Sequence, residues 1–371
     1  MRVYLLVLVI AAVVTYLTTP LARWCALRWG AITAVRDRDV HAVPTPRLGG
    51  MAMFAGLLVA LLMGSRLPFL EPVYANPRPI FGVIGGAALV CALGVADDIW
   101  DLDWLTKLMG QVLAAGFLAW QGVLLYRLPI ADSVISGSSR AAVFVTVVSV
   151  IVAMNAVNFV DGLDGLAAGV LAIGGAAFFL YAYLLTVGTS RDDYSNLAAL
   201  VVAVLVGVCV GFLPHNLYPA RIFMGDSGSM LLGFVFAAAA IIVTGQIDPA
   251  AVVERVQFPA YVPILLPVAV LVLPLLDMGL AIVRRLLKGK SPFHPDRLHL
   301  HHRLLALGHS HRRAVAIMYV WTAVLAFGVA ALAVLSTTTV LVATGVGVVV
   351  ATVLTLGPLR GRTPNAVEAS P

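Results

Sequence analysis

The chain has 371 residues, of which 61% are hydrophobic and 11% charged, with 24 lysines and arginines against 18 aspartates and glutamates. Its mean hydropathy is +0.99. These values exclude a soluble enzyme with a charged surface and identify an integral membrane protein. The three cysteines, Cys25, Cys91 and Cys209, stand in or beside apolar runs without paired spacing, so they read as core residues and indicate neither a disulfide framework nor a zinc site.

Apolar runs long enough to cross a bilayer fall at 3–22, 49–67, 80–96, 106–126, 140–157, 166–187, 196–214, 228–245, 260–283, 314–335 and 338–357. Each is near the ~20 residues a bilayer requires. The expectation is an all-α polytopic protein of about eleven transmembrane helices, one membrane domain over residues 1–357 and a disordered tail over 358–371. The first run has one charge before it, Arg2, and two after it, Arg23 and Arg28, the reverse of a cleaved signal. It therefore reads as a retained helix with its N-terminus outside. Threading the rest from there places 23–47, 97–105, 158–165, 215–227, 284–313 and the tail in the cytoplasm. Seventeen of the 24 lysines and arginines then fall on the cytoplasmic side, as the positive-inside rule expects. The same threading gathers Asp97, Asp98, Asp161, Asp164, Asp226 and Asp277 at that face. No internal repeat is visible, which weighs against an inverted-repeat transporter.

Val40 to Gly50, VHAVPTPRLGG, reads as a rigid turn into the second span, with Arg47 as its candidate anion contact. In GVADDIWDLD, the adjacent Asp97 and Asp98 repel each other unless a cation or proton donor is near, which marks them as functional. Asp101 and Asp103 read as solvated loop. AMNAVNFVDGLDGLAAG places Asn155, Asn158, Asp161 and Asp164 three residues apart beside hydrocarbon, a costly set that suggests a site. On one continuous helix the first and last would face opposite ways. Gly162 and Gly165 allow the helix to stop near Phe159 and turn both carboxylates toward the amides.

In FLPHNLYPARIFMGDSGSML, Asp226 fits two readings. It can be a helix N-cap, or a carboxylate holding the metal that a phosphate docked at the helix N-terminus requires. Asp277 lies two turns from Arg284 and Arg285, and a structural pairing and a direct role are equally open. Lys288 to Arg313 carries His299, His301 and His302 without a cysteine or carboxylate at ligand spacing, which disfavours zinc. Mixed with Lys290, Arg297 and Arg303, these imidazoles suit recognition of a phosphate or nucleotide; the alternative is a polybasic segment for anionic lipid headgroups. His309 and His311 read as lipid-facing or solvated.

NAVNFVDGLDGLAAG, preceded by GVADDIWDL and followed by PARIFMGDSGS and HPDRLHLHH, resembles the polyprenyl-phosphate N-acetylhexosamine-1-phosphate transferases over residues 40–313. That superfamily includes the phospho-N-acetylmuramoyl-pentapeptide transferase and the tunicamycin-sensitive enzyme of N-glycosylation. HLHH and a first loop without the lysine-rich form resemble the N-acetylglucosamine branch. The resemblance implies transfer of N-acetylglucosamine 1-phosphate from UDP-N-acetylglucosamine to undecaprenyl or decaprenyl phosphate at the cytoplasmic face of the inner membrane, with release of UMP. By similarity, Asp226 and Asn158 would bind Mg2+, for which Mn2+ can substitute. Asp97 and Asp98 would face the acceptor phosphate, while Asp161, Asp164 and Asn216 would serve uridine and diphosphate. His299, His301 and His302 would lie in a loop closing over the sugar nucleotide, and Asn155, Arg47, Arg297 and Arg303 complete the expected substrate contacts. The implied partners are these substrates and membrane lipid, with no nucleic acid and a homodimer allowed. Two alternatives compete: the same chemistry on the muramoyl-pentapeptide donor, and a cation-coupled transporter, which expects carboxylates near the bilayer midplane.

Overall fold

Hydrocarbon offers the backbone no hydrogen-bond partner, so apolar runs of this length close their bonds internally as helices. The computed structural model describes residues 1–32, 44–130, 133–136, 138–189, 196–246, 261–289 and 299–357. The tail at 358–371, most of the first loop, and Arg297 lie outside these. In chain order the helices are α1 (Arg2–Trp29), α2 (Gly49–Gly64), the short α3 (Glu71–Ala75), α4 (Arg78–Trp100), α5 (Trp104–Trp120) and α6 (Ser139–Val160). They continue with α7 (Leu166–Thr189), α8 (Leu197–Asn216), α9 (Gly225–Gln246), α10 (Val262–Leu287), the short α11 (Leu300–Ala306), α12 (His311–Ala331) and α13 (Thr337–Leu356).

Among the described residues, nine helices are long and apolar enough to cross a membrane, and a tenth if the bent pair of α2 with Pro68–Ala75 is one span. The 93° bend in that pair falls where Pro68 starts a new helical turn, so the straight run expected over 49–67 ends early. α5, with 17 residues, reaches about 25 Å, slightly under the ~30 Å of hydrocarbon. Between α5 and α6 stands a feature the apolar pattern did not announce, an antiparallel hairpin of β1 (Arg127–Ile130) and β2 (Ser133–Ser136) pairing Arg127 with Ser136.

α8 and α9 form the centre: 83% and 89% of their membrane windows are buried. α1 packs along α8 and α2, α7 between α8 and α12, and α9 between α4 and α6. Small residues permit this closeness, as expected where lipid supplies no hydrophobic drive between helices. A methyl group on Gly211 of α8 would run into the backbone of Ala12 in α1. Cys91 and Cys209 are buried free thiols.

α6 ends at Val160, one residue past Phe159, and Asp161 caps it. Gly165, at φ +76°, takes the left-handed conformation that redirects the chain into α7. Hydrogen bonds among the ends of α4, α6 and α8 and the starts of α2, α5, α7, α9 and α12 gather them at one end of the bundle.

Candidate active site

The start of α9 is the pivot. The segment preceding α2 runs beside the segment preceding α9: Phe223 N donates to Pro46 O at 2.8 Å, and Gly49 N donates to Phe223 O at 3.0 Å. This ladder seats Arg47 next to the first turn of α9. From α4, Asp98 accepts from the backbone amides of Asp226 at 3.0 Å and Ser227 at 3.1 Å. Those amides are among the donors a helix N-terminus leaves unpaired, and a carboxylate is their best acceptor. Gly225, at φ +68°, makes the approach possible, since a Cβ there would collide with the Asp98 carboxylate. Asp98, only 3% exposed, therefore anchors the helix that carries Asp226.

Asp226 is held from two sides. Asn158 Nδ2 donates to Asp226 Oδ1 at 2.9 Å and to Ser229 Oγ at 2.9 Å. Lys107 Nζ lies 2.5 Å from Asp226 Oδ2 and 2.7 Å from Asp97 Oδ2. The Oδ1 of Asp97 accepts from Leu102 N at 3.1 Å, which fixes the acid against the turn into α5. Asp101 and Asp103 are exposed; Asp103 caps α5 by accepting from Leu105 N and Thr106 N.

Asp98, Asn158, Asp161, Asn216, Asp226 and Arg47 line one cavity of roughly 250 Å³, closed by Gly162, Leu163, Phe223 and Gly225. Arg47 Nε is buried there without a hydrogen-bond partner among the described residues. Asp161 has its acidity weakened: burial first, then the carboxylates of Asp226, Asp98 and Asp164, push its pKa up to about 8. Asn216 lines the wall and ties two loops together, accepting from Gly165 N at 3.1 Å and donating to Ile222 O at 3.0 Å.

Other expected residues lie elsewhere. Asn155 donates to Gln111 Oε1 at 2.8 Å, inside the bundle and off the cavity wall. Asp164 turns away from the cavity: its Oδ2 accepts from Ala220 N at 2.9 Å, and its N–H donates to His311 Nε2 at 3.1 Å. His311, expected against lipid or water, thus braces the turn. His309, expected likewise, is 4% exposed and pairs with Thr355 O at 2.8 Å. His299 Nδ1 lies 3.3 Å from the buried Asp277 Oδ2, and Leu300 N donates to Asp277 Oδ1 at 2.9 Å, so Asp277 anchors the histidine-bearing segment to α10. The rings of His299 and Phe159 are 5.7 Å apart, beside Asn158 in sequence. His302 stands near His299, and Arg303 is exposed on α11. The side chain of His301, like Arg297, lies outside the described residues.

Sequence reasoning gave no role to Lys107 or Gln111. The available signal was that Lys107 is the sole ionisable residue of α5, one turn after an acidic loop. Among the described residues, no three histidine, cysteine, aspartate or glutamate side chains are gathered as a metal cage. The donors nonetheless suit a hard divalent cation. Asp97 Oδ2 and Asp226 Oδ2 converge on a point already taken by a cation, the Lys107 ammonium. Magnesium is commonly held by one or two carboxylates together with substrate phosphates.

A family model described as glycosyl transferase family 4 matches residues 80–244. The decaprenyl-phosphate N-acetylglucosaminephosphotransferase of Mycolicibacterium smegmatis is 44% identical over 368 residues, covering 96% of this chain and 89% of the relative. The protein of the same name from Mycobacterium tuberculosis is 42% identical, covering 86% of this chain and 80% of the relative. More distant is the phospho-N-acetylmuramoyl-pentapeptide-transferase of Desulforudis audaxviator, 31% identical over 80% of this chain and 86% of the relative.

Proposed function

The chain belongs to glycosyl transferase family 4, and from that premise we propose that it transfers N-acetylglucosamine 1-phosphate from UDP-N-acetylglucosamine to a membrane polyprenyl phosphate. An oxygen of the acceptor phosphate bonds to the sugar-bearing phosphorus, the bridge to the uridine-bearing phosphorus breaks, and UMP leaves. The observation that carries this reading is the cavity at one end of an apolar bundle where Asp98, Asp161, Asp226 and Asn158 face Arg47, whose buried Nε has no hydrogen-bond partner among the described residues. Such an end serves a reaction whose acceptor keeps its tail in lipid. Extracting the tail would cost about 0.8 kcal/mol per CH2.

The charges define what the residues do. The donor brings about two negative charges; the acceptor, with a second pKa of ~6, brings nearly two more at pH 7. The acceptor is already nucleophilic, so Asp97 is assigned to positioning rather than proton removal. Arg47 offers a guanidinium to the diphosphate. Asp226 and Asp97 would hold Mg2+, with Asn158 orienting Asp226 or joining as a ligand, and Asp98 fixing the helix beneath. When bound, the metal supplies charge neutralisation for the diphosphate and the departing UMP. Asp161 and Asn216 shape the remaining wall for the nucleotide. The inner membrane and its cytoplasmic face are the proposed location, on the distribution of lysine and arginine.

Purified protein incubated with UDP-N-acetylglucosamine, decaprenyl phosphate and Mg2+ is expected to release UMP and form the diphosphate-linked lipid, followed by mass analysis. Consumption of UDP-N-acetylmuramoyl-pentapeptide in its place would overturn the donor assignment.

A further inference from the structure

We propose that Lys107 is a built-in counter-cation that a divalent metal must displace to enter the site, so that the two compete for one pair of carboxylates. This rests on the reading that the site takes a divalent cation. The geometry is specific. Asp97 and Asp226 come from helices remote in sequence, and each turns its Oδ2 toward Lys107 Nζ, at 2.7 Å and 2.5 Å. Their other oxygens are engaged elsewhere, by Leu102 N and by Asn158 Nδ2. The two oxygens that no amide engages are the ones the ammonium holds. A magnesium ion sits about 2.1 Å from its oxygens, so an ion on either Oδ2 would share the ammonium's space, and two cations that close repel.

Lys107 is suited to leaving. It stands in the first turn of α5, its side chain is 26% exposed, and four methylenes let the charge swing as a unit. An arginine fork would resist such release. Without metal, the ammonium prevents two carboxylates in a poorly solvated place from facing each other uncompensated. With metal, it is freed beside a cavity that receives phosphates. A site closed by its own lysine for nine-tenths of the time binds metal about tenfold more weakly than an open one.

The test measures Mn2+ binding to the full-length protein in detergent at pH 8, without substrate, by electron paramagnetic resonance of free Mn2+. Lys107→Met is expected to bind Mn2+ about tenfold or more tightly than the unaltered protein, and Lys107→Arg no more tightly. Lys107→Gln serves as the second neutral variant should the methionine protein not fold. A further expectation is that Mn2+ raises the melting temperature of the neutral variant more than that of the unaltered protein. Equal or weaker Mn2+ binding by both neutral variants overturns the competition and makes Lys107 a simple pin between α5 and α9. Binding by none of the proteins overturns the metal reading itself, and the competition with it.

Discussion

α9 and α13 are near twins in hydropathy and opposites in use. Their membrane windows have mean hydropathies of 2.1 and 2.3, yet 89% of the α9 window is buried inside the protein against 11% of the α13 window. Hydropathy thus reports that a segment crosses lipid and not what it meets there. The difference lies in the residues that permit contact. α9 opens with GDSGS, whose first amides receive Asp98, and it brings Gly233 against the backbone of α6. α13 presents Leu341, Val342, Val346 and Val349 outward, each at least 60% exposed, and attaches chiefly to α12.

The largest contrast is chemical. Asp226→Ala is expected to lower UMP release by about a hundredfold or more, the scale at which loss of a group around a metal is felt. Val346→Ala on α13 should leave the rate within twofold of normal, roughly what a surface change allows. Comparable losses in both would mean that α9 is not the catalytic helix.

Packing gives the next contrast. A Cβ added to Gly233 would lie 2.6 Å from Met154 Cα and 2.8 Å from Ala153 O, backbone atoms that cannot rotate aside. Gly233→Leu should cost about 3 kcal/mol, at the upper end of overpacking, seen as a lowered melting temperature or lost monodispersity. At Gly345 of α13 an added Cβ meets nothing within 4 Å, so Gly345→Leu should stay within about 0.5 kcal/mol. Equal tolerance at both positions would contradict the assignment of α9 to the core.

A smaller effect is expected at the loop that α8 supports. Asn216→Ala leaves Gly165 N–H and Ile222 C=O without their partner, at a cost of about 1–3 kcal/mol for buried polar groups. The accompanying loosening of the cavity wall should raise KM for the sugar nucleotide more than it lowers kcat; the reverse would place Asn216 in the chemical step.

Much of this was legible because charge beside hydrocarbon is costly, so Asp97, Asp98 and Asp226 stood out in the sequence before any geometry. The spans were legible for the same reason, since backbone satisfaction in lipid leaves little choice but helix. What lay hidden depends on direction and distance. Asp161 and Asp164 look equivalent in DGLDG, but the turn over 161–165 sends one to the cavity wall and the other to Ala220 and His311. Lys107 resembles any lysine near a helix start, and its meaning comes from two acids, one 119 residues away. The hairpin between α5 and α6 carries no apolar periodicity long enough to separate it from a loop.

The last effect concerns Asp161, and it carries a sign. Burial and the neighbouring carboxylates raise its pKa from 3.8 to about 8 in the folded protein. Between those values the folded state binds a proton that the unfolded chain releases, so this residue's contribution falls as pH rises from about 4 to about 8. Asp161→Asn removes the penalty. In EDTA, its melting temperature should match that of the unaltered protein near pH 4 and exceed it by a growing margin up to pH 8. Adding Mg2+ should narrow the margin, because a cation held by Asp226 relieves the repulsion that Asp161 experiences. A margin independent of pH would show that Asp161 does not share the field of Asp226 and Asp98. A valine-to-asparagine change on the exposed face of α13 alters no titrating group and should show no such slope.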